Sequence, residues 1–433
     1  MLSFLNRNSN LKSEGITLGK IKGNFFKREV LTDGQLNHHV HVVGASGYGK
    51  TVLLSHIIHE RIHQGKGLLY IDLKGDSETL KKFSGFAREC DREKDLQIFS
   101  LADATISKAY NLVGTGTANQ IRDRLMLSLI WSEEYYKNQS ASFLLKLLIG
   151  LCWLRDNKKL SVTLSLILEC CLKVDKLLGL GSQVPLAEER IKFLFEDSVV
   201  FLEDKENFKS LQGLRAQIES LVFSDFGGLL SDNTDGIDLF KSVNDSKITF
   251  IFLDTRRYGE SAKAVGKFII QDLKATSARV DAEITSEKRK SFSVIIDEFA
   301  DLAQEDFIGF LDRARSSRFS VVVAHQELSD LQRISPEFAR RLSGNTSTMY
   351  AFLQKGPESA EMISGMAGTR TVWKKTVKAE RWWLFDVRSG ESSLREVEEF
   401  NIHPNRIKSL EVGECVCIKK YPRALSYSVR VKC

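Results

Sequence analysis

One glycine-rich segment limits the possible folds of this chain more than any other feature. Three valines lie within residues 40–43 and predict a short buried strand, and the apolar residues of 52–58 predict a helix. A strand, a loop and a helix in this order are the context in which G-x-x-x-x-G-K-[ST] forms a phosphate-binding loop. The loop consists of Gly44, Ala45, Ser46, Gly47, Tyr48, Gly49, Lys50 and Thr51.

Each residue type in this loop has a physical purpose. The glycines let the backbone curl so that successive N–H groups point at one phosphate, and the N-terminus of the following helix adds positive potential. Lys50 can reach the β- and γ-phosphates, and the Thr51 hydroxyl can take one position on Mg²⁺. We therefore assign residues 44–51 to nucleotide binding, with Lys50 also catalytic and Thr51 also a metal ligand. The expected cofactors are ATP and Mg²⁺.

Strand and helix patterns alternate on both sides of a long helical stretch. Apolar runs at 67–72 and 96–99 follow the first helix, and similar runs return at 247–254 and 292–298. Such alternation is typical of a parallel sheet with crossover helices. Between these two parts the apolar residues recur at helical spacing.

The pattern predicts an α/β fold with a mostly parallel sheet and an inserted all-α domain. Residues 1–110 and 240–433 form the nucleotide-binding domain in this prediction, and residues 111–239 form the insertion. The longest apolar run, 141–154, is interrupted by Lys146 and is short for a bilayer, so we interpret it as a core helix and expect no transmembrane segment.

Two carboxylates follow the apolar strand that precedes position 297. In phosphate-loop NTPases such an Asp holds Mg²⁺ through its hydration shell, and an adjacent Glu polarises the attacking water. We assign Asp297 to the metal and Glu298 to the general base. The alternative is a solvated strand end.

Polar residues near the next strand are further candidates. Gln326 lies just past the apolar run 320–324, where a glutamine can hydrogen-bond the γ-phosphate or the water. Arg313, Arg315 and Arg318 precede that run, and an arginine at a subunit edge can stabilise transition-state charge in a neighbour's site. We favour Arg315; an exposed basic helix end is the alternative.

Charge is unevenly distributed along the chain. Residues 366–433 carry 14 Lys/Arg against 8 Asp/Glu, so this segment holds the whole net charge of +6. A basic surface there indicates contact with a polyanion or simply a solvated face. Within it, residues 372–383 combine three tryptophans with basic residues, which suits a nucleic-acid surface or equally a β-hairpin packed on the core.

The order of these motifs resembles that of TraD/TraG-type coupling proteins of conjugation, in the FtsK/HerA superfamily of ring translocases. The resemblance covers about residues 15 to 430, and one departure is that family members usually begin with two transmembrane helices. The segments that carry it are 44–51, 70–76, the helical insertion, 296–299, 314–315 and 324–326.

The resemblance implies a RecA-like phosphate-loop NTPase domain and a DNA-translocating ATPase that delivers a relaxase–DNA complex to a secretion or conjugation channel. Its implied partners are DNA, the relaxase or relaxosome, and a secretion-channel ATPase or membrane protein. The implied assembly is a homohexamer, with a monomer in the absence of DNA as the alternative. Lys50, Thr51, Asp297, Glu298 and Gln326 match the family's site residues, and Arg315 falls where the family has an inter-subunit arginine.

Two other functions stay open at this point. One is a HerA-like pump that works with a nuclease in DNA processing or defence, and the other is a non-translocating, ATP-gated adaptor. The helical insertion and the turn at 72–76 argue against the pump. A cytoplasmic location, or attachment to the inner membrane through a partner, is expected in each case.

Overall fold

The computed structural model describes residues 15–23, 26–231, 235–382 and 385–432, and within 376–393 it describes the backbone alone. Of the three tryptophans predicted to form one surface, the side chains of Trp382 and Trp383 therefore lie outside the described part. The strands of the described residues, in chain order, are β1 (Gly15–Ile21), β2 (Arg28–Thr32), β3 (Val40–Val43), β4 (Gly67–Asp72), β5 (Leu96–Ser100), β6 (Ile248–Phe252), β7 (Phe292–Ile296), β8 (Phe319–His325), β9 (Thr348–Ala351), β10 (Thr369–Trp382), β11 (Phe385–Phe400), β12 (Glu414–Lys419) and β13 (Leu425–Val431).

The helices surround these strands in sequence and form all regular structure between β5 and β6 in the described residues. In chain order they are α1 (Asp33–Asn37), α2 (Lys50–His63), α3 (Ser77–Glu89), α4 (Ala118–Ser128), α5 (Glu134–Lys158), α6 (Leu164–Leu172), α7 (Val174–Gly181), α8 (Glu189–Glu203), α9 (Lys205–Ser210), α10 (Gln212–Val222), α11 (Leu239–Asn244), α12 (Thr255–Glu283), α13 (Phe307–Ala314), α14 (Leu328–Gln332), α15 (Pro336–Asn345), α16 (Pro357–Ala367) and α17 (Pro404–Ile407).

The chain divides into two compact units that differ from the predicted division into domains. The first unit contains Met1–Ile57, Ala303–Leu311 and Val321–Cys433, and the second contains Ile58–Leu302 and Asp312–Ser320. The boundaries predicted at 111 and 239 stay a prediction.

In the first unit, a parallel trio of strands continues into an antiparallel edge. Strand β3 pairs in parallel with β8 on one side and with β9 on the other. Strand β9 then pairs antiparallel with β12, followed by β13, β1 and β2. Val43, Met349, Ile363 and Val416 belong to one buried apolar cluster in this unit. Because β3 is buried throughout, the loop that follows it begins from a fixed position.

The second unit contains four parallel strands in the order β7, β4, β6 and β5. Strands β4, β6 and β7 are buried at every position, which explains why their sequences are continuous apolar runs without alternation. Their shared direction places the carboxyl ends of β4 and β7 at the same edge of the sheet.

The long apolar run at 141–154 lies within the 25-residue helix α5, where Phe143, Leu147 and Leu151 are almost completely buried. Its predicted place in a helical core is confirmed. None of the helices that the structure describes is both long enough and apolar enough to cross a membrane.

Strands β10 and β11 form a two-stranded ribbon of their own within the first unit. They pair antiparallel from Thr369 opposite Phe400 to Trp382 opposite Phe385. The hairpin interpretation of this segment is thus confirmed, but Trp373 is 66% exposed and is not packed in a core.

Candidate functional site

The phosphate loop lies in the first unit, between β3 and the first residue of α2. The Gly44 N–H donates to the carbonyl of His325 at 3.2 Å, and the Ala45 N–H donates to the carbonyl of Leu353 at 2.9 Å. Both acceptors follow or end strands that flank β3. The start of the loop is therefore held by the sheet itself.

Two structural constraints explain the glycines of this loop. A Cβ on Gly44 would lie 2.4 Å from the Cβ of Phe352, a distance that real side chains do not reach. Gly47 and Gly49 have φ values of +83° and +114°, in the region that favours glycine. The curl expected from the sequence is present.

Lys50 begins α2 and is 4% exposed. Its ammonium donates to the carbonyl oxygens of Gly44 and Ala45, at 2.6 and 3.3 Å. Thr51 follows on the first turn of the helix and is half-buried. A buried cation, a helix N-terminus and a glycine curl together fit a bound phosphate group.

Gln326 lies beside this loop along the sheet edge. The parallel register of β3 and β8 pairs Val43 with His325, so Gln326 follows at the level of Gly44. Gln326 is exposed, and its backbone carbonyl accepts a hydrogen bond from Gln354 Nε2 at 3.3 Å. Its role as a sensor stays a prediction.

A histidine pair that sequence reasoning left without a role lies just behind the loop. The Nε2 atoms of His41 and His325 are 2.6 Å apart, and both rings are buried. Burial, with added repulsion from His325 and Lys420, lowers the pKa of His41 well below its usual value. His41 is therefore uncharged at neutral pH, and its contact with His325 ties β3 to β8.

Asp297 and Glu298 follow β7 in the second unit. The Asp297 N–H donates to the Ile71 carbonyl at 2.9 Å, and Asp297 Oδ1 accepts the Glu298 N–H at 2.9 Å. Asp297 is 2% exposed. Burial raises its pKa to about 6; Lys74 opposes this rise, while the charges of Asp72 and Glu298 add to it.

Asp72 at the end of β4 is a functional candidate that the sequence analysis missed. It is buried, and its carboxylate accepts the backbone N–H groups of Lys74 and Asp76 at 3.1 and 3.2 Å. Gly75 has φ +67°, and a Cβ there would lie 2.5 Å from Asp254 Cβ. Asp72 therefore fixes a tight turn that only glycine completes. An Asp at the end of a buried strand was the available signal.

The turn directs Lys74 at the predicted general base. Lys74 Nζ lies 2.5 Å from Glu298 Oε1. Glu298 has φ +52°, a backbone conformation that non-glycine residues rarely adopt and that clusters at functional sites. The structure thus places one cation among three carboxylates, those of Asp72, Asp297 and Glu298.

This excess of carboxylates fits a magnesium site that is completed by substrate. Within the described ranges, no cluster of three or more His, Cys, Asp and Glu side chains could hold a metal ion unaided. Mg²⁺ in nucleotide sites commonly takes only one or two carboxylates, together with water and substrate phosphates. The residues present therefore fit a bound Mg²⁺ ion.

The three candidate arginines are exposed around the turn between α13 and β8. Arg318 has φ +59°, and its Nη1 donates to the Arg289 carbonyl at 2.9 Å. Arg315 accepts the Arg318 N–H through its backbone carbonyl at 3.0 Å. The structure thus distinguishes Arg318, which has a partner in its own chain. The action of Arg315 on a neighbouring subunit stays a prediction.

Comparison with known proteins gives a family match and a curated relative. The family described as the TraM recognition site of TraD and TraG matches residues 291–411. The type 4 coupling protein DotL of Legionella pneumophila is 22% identical over 418 residues, which cover 84% of this chain and 50% of DotL. The chain therefore spans about half the length of this curated relative.

Solved structures show the same fold. The bacterial conjugative coupling protein TrwBdeltaN70 superposes with a TM-score of 0.70 at 15% identity, over 96% of this chain and 88% of that one. TrwB in complex with ADP and Mg²⁺ superposes with a TM-score of 0.65 at 15% identity, over 93% of this chain and 87% of that one. These matches confirm the resemblance to TraD/TraG-type coupling proteins and the predicted α/β, RecA-like fold with its helical insertion.

Proposed function

We propose that this chain, a relative of the TraD/TraG-type coupling proteins, is an ATP-driven DNA translocase that delivers a relaxase–DNA complex to a secretion or conjugation channel. The observation that carries the proposal is the phosphate loop, in which a buried Lys50 follows Gly44, which has no room for a Cβ, and Gly47 and Gly49, which have positive φ values. DotL and TrwB are described as coupling proteins, and TrwB is described with ADP and Mg²⁺.

In this proposal each predicted site residue has a role in nucleotide binding or hydrolysis. Lys50 and the loop N–H groups bind the phosphates, and Thr51 and Asp297 would hold Mg²⁺, which when bound neutralises charge on the β- and γ-phosphates. Glu298 accepts a proton from the attacking water as the water oxygen bonds to the γ-phosphorus and the bond from that phosphorus to the β-phosphate oxygen breaks, so that ADP leaves. Gln326, at the level of Gly44, hydrogen-bonds the γ-phosphate or that water.

The proposed motor is a homohexamer that forms on DNA. Arg315 of one subunit stabilises the transition-state charge in the site of the next, as an arginine supplied in trans does in other phosphate-loop enzymes. The relaxase or relaxosome and a secretion-channel ATPase or membrane protein are the proposed partners. We place the protein in the cytoplasm or at the inner membrane through such a partner.

Steady-state ATP hydrolysis tests this function directly. We expect hydrolysis by the full chain to rise at least several-fold when single- or double-stranded DNA is added at low salt, and to lose this stimulation at high salt because phosphate contacts weaken. Mass measured in the same samples reports assembly. Hydrolysis that no DNA changes would favour the ATP-gated adaptor instead, and stimulation only by a co-purifying nuclease would favour the HerA-like pump.

A further inference from the structure

The ribbon formed by β10 and β11 presents two free backbone edges. In the described residues neither strand pairs with any strand except the other. The strands contain 14 and 16 residues, so each edge is about 45 Å long. A long unpaired edge is a template for pairing with another chain unless a protein blocks it.

The charges at the base of the ribbon differ between its two strands. Over the pairs from Thr369–Phe400 to Lys375–Leu394, β10 carries Arg370, Lys374 and Lys375 and has no acidic residue. Over the same pairs β11 carries three acidic residues and one basic residue, namely Glu396, Glu398, Glu399 and Arg395. One edge of the ribbon is therefore basic and the other is acidic.

We infer that this ribbon is a subunit contact, in which the β10 edge of one copy pairs with the β11 edge of the next. Pairing β10 with β10, or β11 with β11, would place like charges on neighbouring strands, which destabilises a sheet. Pairing β10 with β11 places opposite charges side by side, as Lys374 and Glu399 already are within one ribbon, 2.5 Å apart. The charge pattern thus selects one of the three possible pairings.

This pairing is head-to-tail, because two different surfaces meet. A head-to-tail contact that repeats by rotation closes into a ring. If the copies rotate about an axis along the strands, each β10 runs antiparallel to the neighbouring β11, as it does within its own ribbon. The sheet would then continue around the ring with two strands from each subunit and no free edge.

Exposed apolar side chains on one face of the ribbon support the inference that another subunit covers it. Trp373, Leu394 and Phe400 are 66%, 67% and 41% exposed. Alternation along the paired strands places all three on the same face, opposite the half-buried Val372 and Val397. Apolar groups gathered on one exposed face usually mark an interaction surface.

Charge reversal in the full chain tests this contact. An acidic-ribbon variant carries Arg370→Glu, Lys374→Glu and Lys375→Glu, and a basic-ribbon variant carries Glu396→Lys, Glu398→Lys and Glu399→Lys. Because every edge contact then joins like charges, we expect each variant alone to need about tenfold more protein for assembly. A 1:1 mixture should assemble as the unchanged chain does, since each basic edge again meets an acidic edge.

The mixture is decisive because it restores opposite charges only between chains and leaves both ribbons internally mismatched. Native mass measured over a range of concentrations, with and without ATP and DNA, gives the readout. A control variant with Lys158→Glu, Lys173→Glu and Lys205→Glu changes the same charge on exposed residues of the helical stretch and should assemble normally.

Three results would overturn the inference. These are an unchanged chain that stays monomeric under every condition, an acidic-ribbon variant that assembles normally, and a mixture that fails to assemble. A mixture that fails while DNA binding is also lost would instead assign the ribbon to nucleic acid. The contact extends the proposed ring motor but rests on the ribbon alone. Its test measures mass rather than ATP turnover: a chain that stays monomeric contradicts both proposals, whereas the charge-reversal results bear on the contact alone.

Discussion

The ammonium of Lys74 lies 2.5 Å from the carboxylate of Glu298, the residue proposed as general base. The Glu298 side chain is 13% exposed and that of Lys74 is 40% exposed, so the pair is only partly open to solvent. Burial alone would lower the pKa of Lys74, but the hydrogen bond to Glu298 and the charges of Asp297, Glu298 and Asp72 outweigh it and raise that pKa. Lys74 is therefore a cation at neutral pH, and it binds the Glu298 oxygen that would accept a proton from water.

In the proposed mechanism hydrolysis requires this ion pair to open, so removing Lys74 should release Glu298. We expect Lys74→Met to raise DNA-free ATP hydrolysis by about fivefold, because opening a partly exposed ion pair costs on the order of 1 kcal/mol. The ratio of DNA-stimulated to DNA-free hydrolysis should fall by a similar factor. Steady-state phosphate release with and without DNA measures both.

Lys74→Arg is the matched control, since it keeps a cation at the same turn and should keep the ratio near that of the unchanged chain. If Lys74→Met lowers both rates together, Lys74 positions the base instead of restraining it.

The buried carboxyl of Asp297 makes stability depend on pH in a defined direction. Its pKa is about 6 in the folded protein, against an ordinary value of 3.8. The charged form is thus disfavoured in the metal-free fold above pH 6, and this cost declines as pH falls from about 6 and is gone below the ordinary pKa of 3.8. Metal-free Asp297→Asn should be more stable than the unchanged chain by about 3 kcal/mol at pH 7.5, and nearly equally stable near pH 3.

Thermal unfolding in chelator at a series of pH values measures this difference. Mg²⁺ with ADP should stabilise the unchanged chain at pH 7.5 but stabilise Asp297→Asn much less, because an amide is a poorer ligand for a hard cation. Equal stability of the two proteins at pH 7.5 without metal would contradict the raised pKa.

The buried strands could be predicted from sequence because burial on both faces leaves a continuous apolar run. The prediction for 67–72 matches β4 residue for residue, and the predicted strand at 96–99 differs from β5 only by Ser100. The same argument placed Asp297 and Glu298 directly after a strand. Both features depend on the local sequence, because a strand that is buried along its whole length is apolar along its whole length. They can therefore be predicted without information on contacts between distant residues.

Helices α15 and α16 were missed although the signals for their starts are present. Each begins with a proline at its first position, Pro336 after the N-cap Ser335 and Pro357 after Gly356. Proline at this position costs no hydrogen bond and favours helix initiation. Periodicity alone did not reveal these short helices of 10 and 11 residues.

The ion pair of Lys74 with Glu298 could not be predicted from the sequence. It depends on β4 and β7 being neighbours, on the turn that Asp72 and Gly75 form, and on the left-handed backbone of Glu298. None of these three features produces a periodic pattern in the sequence. The sequence signals for that edge of the sheet were the acidic residues that end β4 and follow β7, namely Asp72, Asp297 and Glu298.

Two substitutions separate nucleotide binding from hydrolysis. Glu298→Gln keeps the side-chain shape but removes the base, so ATP should bind normally while its cleavage slows by about 10²- to 10⁴-fold. Lys50→Ala removes the buried cation from the phosphate loop and should weaken ATP binding itself. Binding of a fluorescent ATP analogue and single-turnover cleavage distinguish the two effects. Normal turnover by Glu298→Gln would exclude it as the base.

Arg315 can be tested for action between subunits by mixing two inactive chains. Arg315→Ala keeps the base of its own site but lacks the arginine that it would give to a neighbour. Glu298→Gln keeps that arginine but lacks the base. If the arginine acts in trans, an Arg315→Ala site beside a Glu298→Gln subunit is complete, so a 1:1 mixture should recover roughly a quarter of normal DNA-stimulated hydrolysis. If it acts within its own chain, no subunit in the mixture is complete and the activity stays at the level of the separate variants.

Arg318→Ala and Arg313→Ala in the same mixing experiment identify which arginine is used. The Arg318 guanidinium already donates to the Arg289 carbonyl, so its removal should lower stability slightly and leave DNA-stimulated hydrolysis nearly unchanged. Complementation by Arg313→Ala in place of Arg315→Ala would move the assignment by two residues, to the last turn of α13. Failure of both the Arg315→Ala and the Arg313→Ala mixtures to recover hydrolysis, with assembly intact, would rule out either arginine acting in trans.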